Sequence, residues 1–343
     1  MESLSGRRGV SSAAIAIAVV ALVVVAAASY VYIARRPGAA ASTTTTSSFT
    51  STTTETASST LASSTYTRTE GLGSPPGPGA SLLNITYCHA GGVALQLDLY
   101  YPPANYSAPF PLVLYVHGGG WRLGDKSAVK GSPVWGMQDK GFVIGSVDYR
   151  LSPNYTFPSQ IEDVKCSVRY LRANAQFYEL NPNEFGAYGP SAGGHLVSLL
   201  AVAGRSAGWD VGQYANYSSS VQAVVDVSGP ENLTATDFGK AGIEAIAEDF
   251  GANASVLQDG SPINHVAAGD PPFLLQYGYN DTLIPYNQGI QFYDALKVAG
   301  DNATLVLVNN AGHELKPINS LPEDPSQSVT DAQVVNFFVD QLG

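Results

Sequence analysis

Cysteine is nearly absent: Cys88 and Cys166 are the only two in 343 residues. Two cannot build a disulfide framework, and they stand too far apart in sequence for a metal knuckle. They either form one bridge, tying the first strand to a helix, or remain two separate buried thiols. Basic residues are also few, with 17 Lys and Arg against 28 Asp and Glu for a net charge of −11. No basic stripe is present to neutralise phosphates, which argues against nucleic acid as a partner. The acidity is most simply a solubility feature.

Charge is missing altogether from Ala13 to Ile33, between Arg7-Arg8 and Arg35-Arg36. About 20 helical residues at 1.5 Å each cross a bilayer core of about 30 Å. The run is longer than the apolar centre of a signal peptide, so an uncleaved anchor at 13–33 is favoured. Ala26-Ala27-Ala28-Ser29 keeps cleavage open as the alternative. Residues 1–12 are then an N-terminal tail. Residues 34–80 read as a stalk: Ser and Thr dominate 42–70, and a Gly/Pro linker fills 71–79. Such composition cannot form a packed core. Beyond it lie eight Asn-x-Ser/Thr sequons, at Asn84, Asn105, Asn154, Asn216, Asn232, Asn253, Asn280 and Asn302. That excess suggests a glycosylated, extracytoplasmic surface, with Asn280 the sequon least suited to modification.

Residues 81–343 alternate strands and helices and are long enough for one α/β core. Val93 to Tyr101 alternates apolar and polar residues, as an antiparallel edge strand does. Phe110–Val116 and Phe142–Val147 are apolar runs of the kind buried on both faces of a sheet. Further strands are expected over Gln222–Val227, Phe273–Gln276 and Thr304–Val308. Helices are expected over Ile161–Ala173, Leu196–Ala203, Gln288–Val298 and Asp331–Gln341, with two short ones within 230–260. The reading is an α/β fold with a mainly parallel sheet, whose ligands gather at the carboxyl ends of the strands.

One stretch organises the chemistry. Glu184-Phe185-Gly186-Ala187-Tyr188 is followed by Gly189-Pro190-Ser191-Ala192-Gly193 and then by a helix-forming run. Strand, sharp turn and helix with serine at the apex is the layout of an exposed serine nucleophile. Such a serine needs a base, an acid to orient it, and oxyanion donors. His313, just past an apolar strand, suits the base, and Asp281 suits the acid, with Asp226 in reserve. Gly118-Gly119-Gly120 follows a buried strand. The N–H groups of Gly119 and Gly120, with that of Ala192, are the expected oxyanion donors. His117 is assigned a structural role. Trp121, His195 and Tyr214 are candidate pocket residues, although packing explains His195 as well. Residues 205–218 and 231–260 are expected to shape a small cap.

His117-Gly118-Gly119-Gly120-Trp121, Asp148-Tyr149-Arg150-Leu151-Ser152-Pro153 and Gly189-Pro190-Ser191-Ala192-Gly193-Gly194 together resemble the hormone-sensitive-lipase-like branch of the α/β-hydrolases. Val168-Arg169-Tyr170-Leu171-Arg172-Ala173-Asn174 and Ser261-Pro262 are closer to its acetyl-esterase and feruloyl-esterase-like (BD-FAE-like) members. The resemblance spans about residues 83–342. It implies carboxylester hydrolysis, usually of short acyl chains, without a cofactor. Two positions depart from that pattern: Pro190, where these enzymes often carry Asp, Glu or Ser, and Tyr277, where they often carry His. The expected activity is a serine carboxylesterase acting through Ser191, His313 and Asp281 on small-molecule or saccharide esters, acetyl or feruloyl among them. An amidase or peptidase of the same fold, or a non-catalytic glycan-binding or adhesion module, are the alternatives.

Overall fold

The structure is a computed structural model and describes residues 75–318 and 320–343. The 13–33 run and nearly all of the stalk lie outside the described residues. Among the described residues no helix is long and apolar enough to cross a membrane.

Eight strands form one sheet in the order β1-β2-β4-β3-β5-β6-β7-β8. They are β1 (Ser81–Ala90), β2 (Val93–Tyr100), β3 (Phe110–Val116), β4 (Val143–Val147), β5 (Leu180–Pro190), β6 (Ala223–Val227), β7 (Phe273–Gly278) and β8 (Ala303–Val308). From β4 to β8 all neighbours run parallel, while β1–β2 and β2–β4 are antiparallel. This is the sheet of an α/β-hydrolase, as expected. The central strands are buried on both faces, as their apolar runs require.

The expectation of an edge strand at Val93–Tyr101 is corrected. β1 pairs outside β2 and takes the edge. Its sequence hid it: Ser81 to Ala90 mixes polar and apolar residues without strict alternation, and the pairing carries two register shifts, after Leu82 and after Thr86. Such shifts rephase the inward side chains and spoil the period-2 signal.

Six α-helices are described: α1 (Ser159–Ala173), α2 (Ala192–Val202), α3 (Lys240–Phe250), α4 (Ala254–Asp259), α5 (Asn287–Ala299) and α6 (Gln327–Leu342). α1 buries Ile161, Val164, Val168 and Leu171, a helical stripe facing the core. α2 is apolar all round and almost wholly buried. It starts at Ala192, four residues before the expected Leu196, because Gly193 and Gly194 weaken the helix signal. Space dictates those glycines: a Cβ on Gly193 would lie 2.1 Å from Val116 O, and one on Gly194 2.0 Å from Asp226 Oδ1. Between β3 and β4 the chain makes two 3-10 turns, Lys126–Gly131 and Pro133–Lys140, instead of an α-helix.

Cys88 on β1 and Cys166 on α1 are joined in a disulfide, which decides between the two readings of the cysteines. The bridge fastens the edge strand to the first helix. Residues 205–218 are held by buried charge: Asp210 pairs with Lys165 at 3.2 Å and Arg169 at 3.0 Å, both on α1.

Candidate active site

The carboxyl ends of β3, β5, β7 and β8 carry the residues singled out above. Ser191 sits between β5 and α2 at φ 54°, ψ −123°, a left-handed conformation that serine adopts only under constraint. Its backbone is pinned on both sides: its N–H donates to Val227 O at 2.8 Å, and its carbonyl accepts from His195 N–H at 3.0 Å. The strand before it needs Gly189, since a Cβ there would meet the Gly193 carbonyl at 2.3 Å. The result is a buried elbow with the hydroxyl at its tip.

That hydroxyl lies 2.9 Å from His313 Nε2, and His313 Nδ1 lies 2.8 Å from Asp281 Oδ2. The other carboxylate oxygen of Asp281 accepts from the N–H groups of Leu283 and Ile284, at 2.8 and 2.9 Å. A carboxylate can only accept, so Nδ1 carries the imidazole proton and Nε2 is left to accept from Ser191. The structure thus brings together three residues separated by 122 positions of chain. Asp226, the reserve acid, lies elsewhere: it is fully buried beneath the elbow, bonded to Tyr277 and Gly229.

The glycine run stands beside Ser191. Gly119 and Gly120 have φ of 108° and 60°, and a Cβ on Gly119 would lie 2.2 Å from Leu123 O. The Ala192 N–H belongs to the first turn of α2, where no carbonyl of that helix can take it. His117 is buried, stacked on Tyr149 at 4.2 Å, and burial lowers its pKa, so it is neutral.

An apolar cleft of about 240 Å³ opens over Ser191 and His313, walled by Trp121, Leu123, Ala245, Ile246, Leu283 and Ile284. Trp121 therefore lies where the sequence reading put it. His195 and Tyr214 do not line this cleft. His195 is completely buried behind Trp121, accepting from its indole Nε1 at 3.3 Å while bonding Gly260 O at 2.7 Å. Burial pushes its pKa down to about 4, so it acts as a neutral brace. Tyr214 packs edge-on against Tyr170 of α1. The expected cap is half correct. Residues of α3 wall the cleft, whereas 205–218 contribute nothing to it. The Asp210 ion pairs hold that segment against α1 instead.

A second cleft, of about 460 Å³, lies beyond Gly118 and Gly119. Its walls are more polar and include Tyr115, Gln276, Lys316 and Asp331. Glu314, at φ 53°, lines both clefts and pairs with Lys316 at 2.9 Å. Sequence reasoning missed Glu314; its place directly after His313 was the available signal. Among the described residues no cluster of His, Cys, Asp and Glu is arranged to hold a metal ion.

The BD-FAE family model matches residues 97–296. Esterase LipC of Mycobacterium tuberculosis is 28% identical over 260 residues, covering 73% of this chain and 62% of its own. Isoprenylcysteine alpha-carbonyl methylesterase ICME of Arabidopsis thaliana is 28% identical over 238 residues, covering 64% and 53%. This chain thus spans about three-fifths or less of these relatives' length. Among solved structures, a truncated carbohydrate esterase from gut microbiota superposes with a TM-score of 0.65 at 24% identity, over 78% of this chain and 99% of that one. A bifunctional GH43-CE protein of Bacteroides eggerthii gives 0.66 at 27% identity, over 77% and 38%.

Proposed function

Because the chain belongs to the BD-FAE family, we propose that it is a serine carboxylesterase for short acyl groups. The observation that carries this reading is the hydrogen-bonded chain Ser191–His313–Asp281 at the floor of an apolar cleft. In the proposed reaction His313 Nε2 takes the Ser191 proton as Oγ attacks the ester carbonyl. Asp281 holds the imidazole in the tautomer that leaves Nε2 open. The N–H groups of Gly119, Gly120 and Ala192 receive the developing oxyanion. One such donor typically contributes about 3 kcal/mol to barrier lowering. His313 then gives the proton to the leaving alcohol, and water releases the acyl group by the same steps.

The cleft volume supports a short acyl chain, since drug-sized sites occupy about 300–1,000 Å³. The polar cleft across Glu314 supports a hydroxyl-rich alcohol, such as a sugar bearing acetyl or feruloyl groups. An ester panel of graded acyl length tests the reading, with acetylated xylan, feruloyl sugars and an acetanilide included. Fastest turnover is expected on acetyl to butyryl esters, and sugar esters are expected to have the lower KM. Cleavage of the anilide in preference to every ester would overturn it.

The domain is placed outside the membrane in this proposal, tethered by residues 13–33. Seven sequon asparagines are exposed, with Asn232 half-buried, and the disulfide suits an oxidising compartment. A mass shift on deglycosylation of the native protein is the expected result. An unglycosylated chain recovered from a reducing compartment contradicts it.

A further inference from the structure

Beneath the elbow lies a buried polar chain that the proposed reaction does not use. Tyr277, Asp226 and Glu231 are each completely buried. The Tyr277 hydroxyl stands 2.5 Å from Asp226 Oδ2 and 2.6 Å from Gly229 O. Asp226 Oδ1 accepts from Gly229 N–H at 2.8 Å. Glu231 accepts from Ser198 of α2 at 3.0 Å. One hydroxyl has one proton, and the Gly229 carbonyl has none to give. The Tyr277 proton can serve only one of these two contacts, so the other calls for a second proton, which Asp226 Oδ2 is placed to carry toward the hydroxyl while Tyr277 donates to Gly229 O.

The chain touches all three loops of the site. Val227, next to Asp226, accepts from the Ser191 N–H, and Ser228 Oγ accepts from the Glu314 N–H, one residue past His313, at 3.3 Å. Tyr277 precedes Gly278, whose carbonyl accepts from Asp281 N–H at 3.1 Å. Gly278 is also pressed against the 311–312 turn, where a Cβ would lie 2.2 Å from Gly312 O. Asp226 Oδ1 fills the space that Gly194 and Gly229 leave, so its carboxyl abuts the first turn of α2.

We infer that Tyr277 and a protonated Asp226 are positioning residues, which hold the loops bearing Ser191, Asp281 and His313 in register for the hydrolysis proposed above; the inference rests on that reading. It also accounts for tyrosine at the position where hormone-sensitive-lipase-like enzymes often carry histidine: its hydroxyl spans from β7 to the Asp226 carboxyl and the Gly229 carbonyl. The groups facing Asp226 are Glu231 on its own turn, Tyr277 of β7, Ser198 of α2 and His313 past β8, with Gln288 of α5 bonding the Glu231 N–H. Burial raises both carboxyls.

Three variants test it. Asparagine can replace a neutral Asp226, donating to Tyr277 and accepting from Gly229, but cannot replace a carboxylate. Asp226→Ala is expected to lower kcat on p-nitrophenyl acetate about a hundredfold and Asp226→Asn at least about tenfold less than that, with KM changed less than about twofold in both. Tyr277→Phe is expected to lower kcat about tenfold with the same KM. A second readout is the melting temperature against pH. A carboxyl raised in the folded state stabilises at low pH and loses that contribution as pH rises toward about 7. The difference between Asp226→Asn and the parent should therefore grow in favour of the variant over that interval. Equal impairment of Asp226→Asn and Asp226→Ala, or a pH-independent difference in melting, overturns the inference. If Asp226→Ala does not fold, Tyr277→Phe and the melting comparison still decide it. Should the parent hydrolyse no ester, the esterase reading fails, and the melting comparison alone reports the proton on Asp226.

Discussion

Opening the Cys88–Cys166 bridge should cost stability without touching the cleft. The bridge closes a loop of 78 residues in the unfolded chain. The loop-closure relation puts its entropic contribution at about 4.5 kcal/mol for that length, against a typical 2–4 kcal/mol. An unfolding entropy of about 2.1 cal/mol/K per residue over roughly 270 residues turns that into about 8 °C of melting temperature. Cys88 and Cys166 are 2% and 6% exposed, so a reductant reaches them slowly, and the clean perturbation is genetic. The double variant Cys88→Ser/Cys166→Ser, followed by calorimetry at several scan rates, is expected to melt roughly 4–8 °C below the parent. Its KM on a short ester should be unchanged, since neither cysteine lines the cleft. A melting temperature within about 1 °C of the parent would refute the entropic account.

Other perturbations have equally definite outcomes. Asp281→Asn keeps the shape of the site but removes the acceptor that fixes the His313 tautomer, so kcat should fall by about 10⁴ with little change in KM; a loss under tenfold would contradict the assigned acid. Gly119→Ala forces a side chain into a 2.2 Å gap at φ 108°. Its kcat/KM should drop at least about a hundredfold while the protein stays folded by circular dichroism. Burial raises Asp249, on the cap helix α3, to about 7, although Gln160 donates to it at 2.8 Å. Its contribution is present at low pH and fades as pH rises from the usual carboxylate range toward about 7. Asp249→Asn should therefore gain on the parent by up to roughly 4 kcal/mol across that interval in urea titrations.

Much of this was readable from residue patterns because the signals are local. Phe110–Val116 could only be a doubly covered strand, and Gly-x-Ser-x-Gly between strand and helix had one sensible geometry. Asp281 and His313 were picked out because each follows a strand in the order that a serine nucleophile's layout demands. The losses were of another kind. β1 was hidden by bulges, which no period reveals. His195 and Tyr214 were aromatic or polar in suggestive places, but which way a side chain faces is decided by packing with distant residues: Trp121 and Gly260 for the first, Tyr170 for the second. The Tyr277–Asp226 contact joins residues 51 apart on adjacent strands, and its register appears only once the sheet is assembled.

The most direct measurement is turnover of p-nitrophenyl acetate by Ser191→Ala beside the parent. Loss of kcat by about 10⁶, down to the uncatalysed background, is the predicted result, with the melting temperature unchanged within a few degrees. A folded, pure Ser191→Ala protein that still cleaves the ester at a substantial fraction of the parent rate would contradict the central claim.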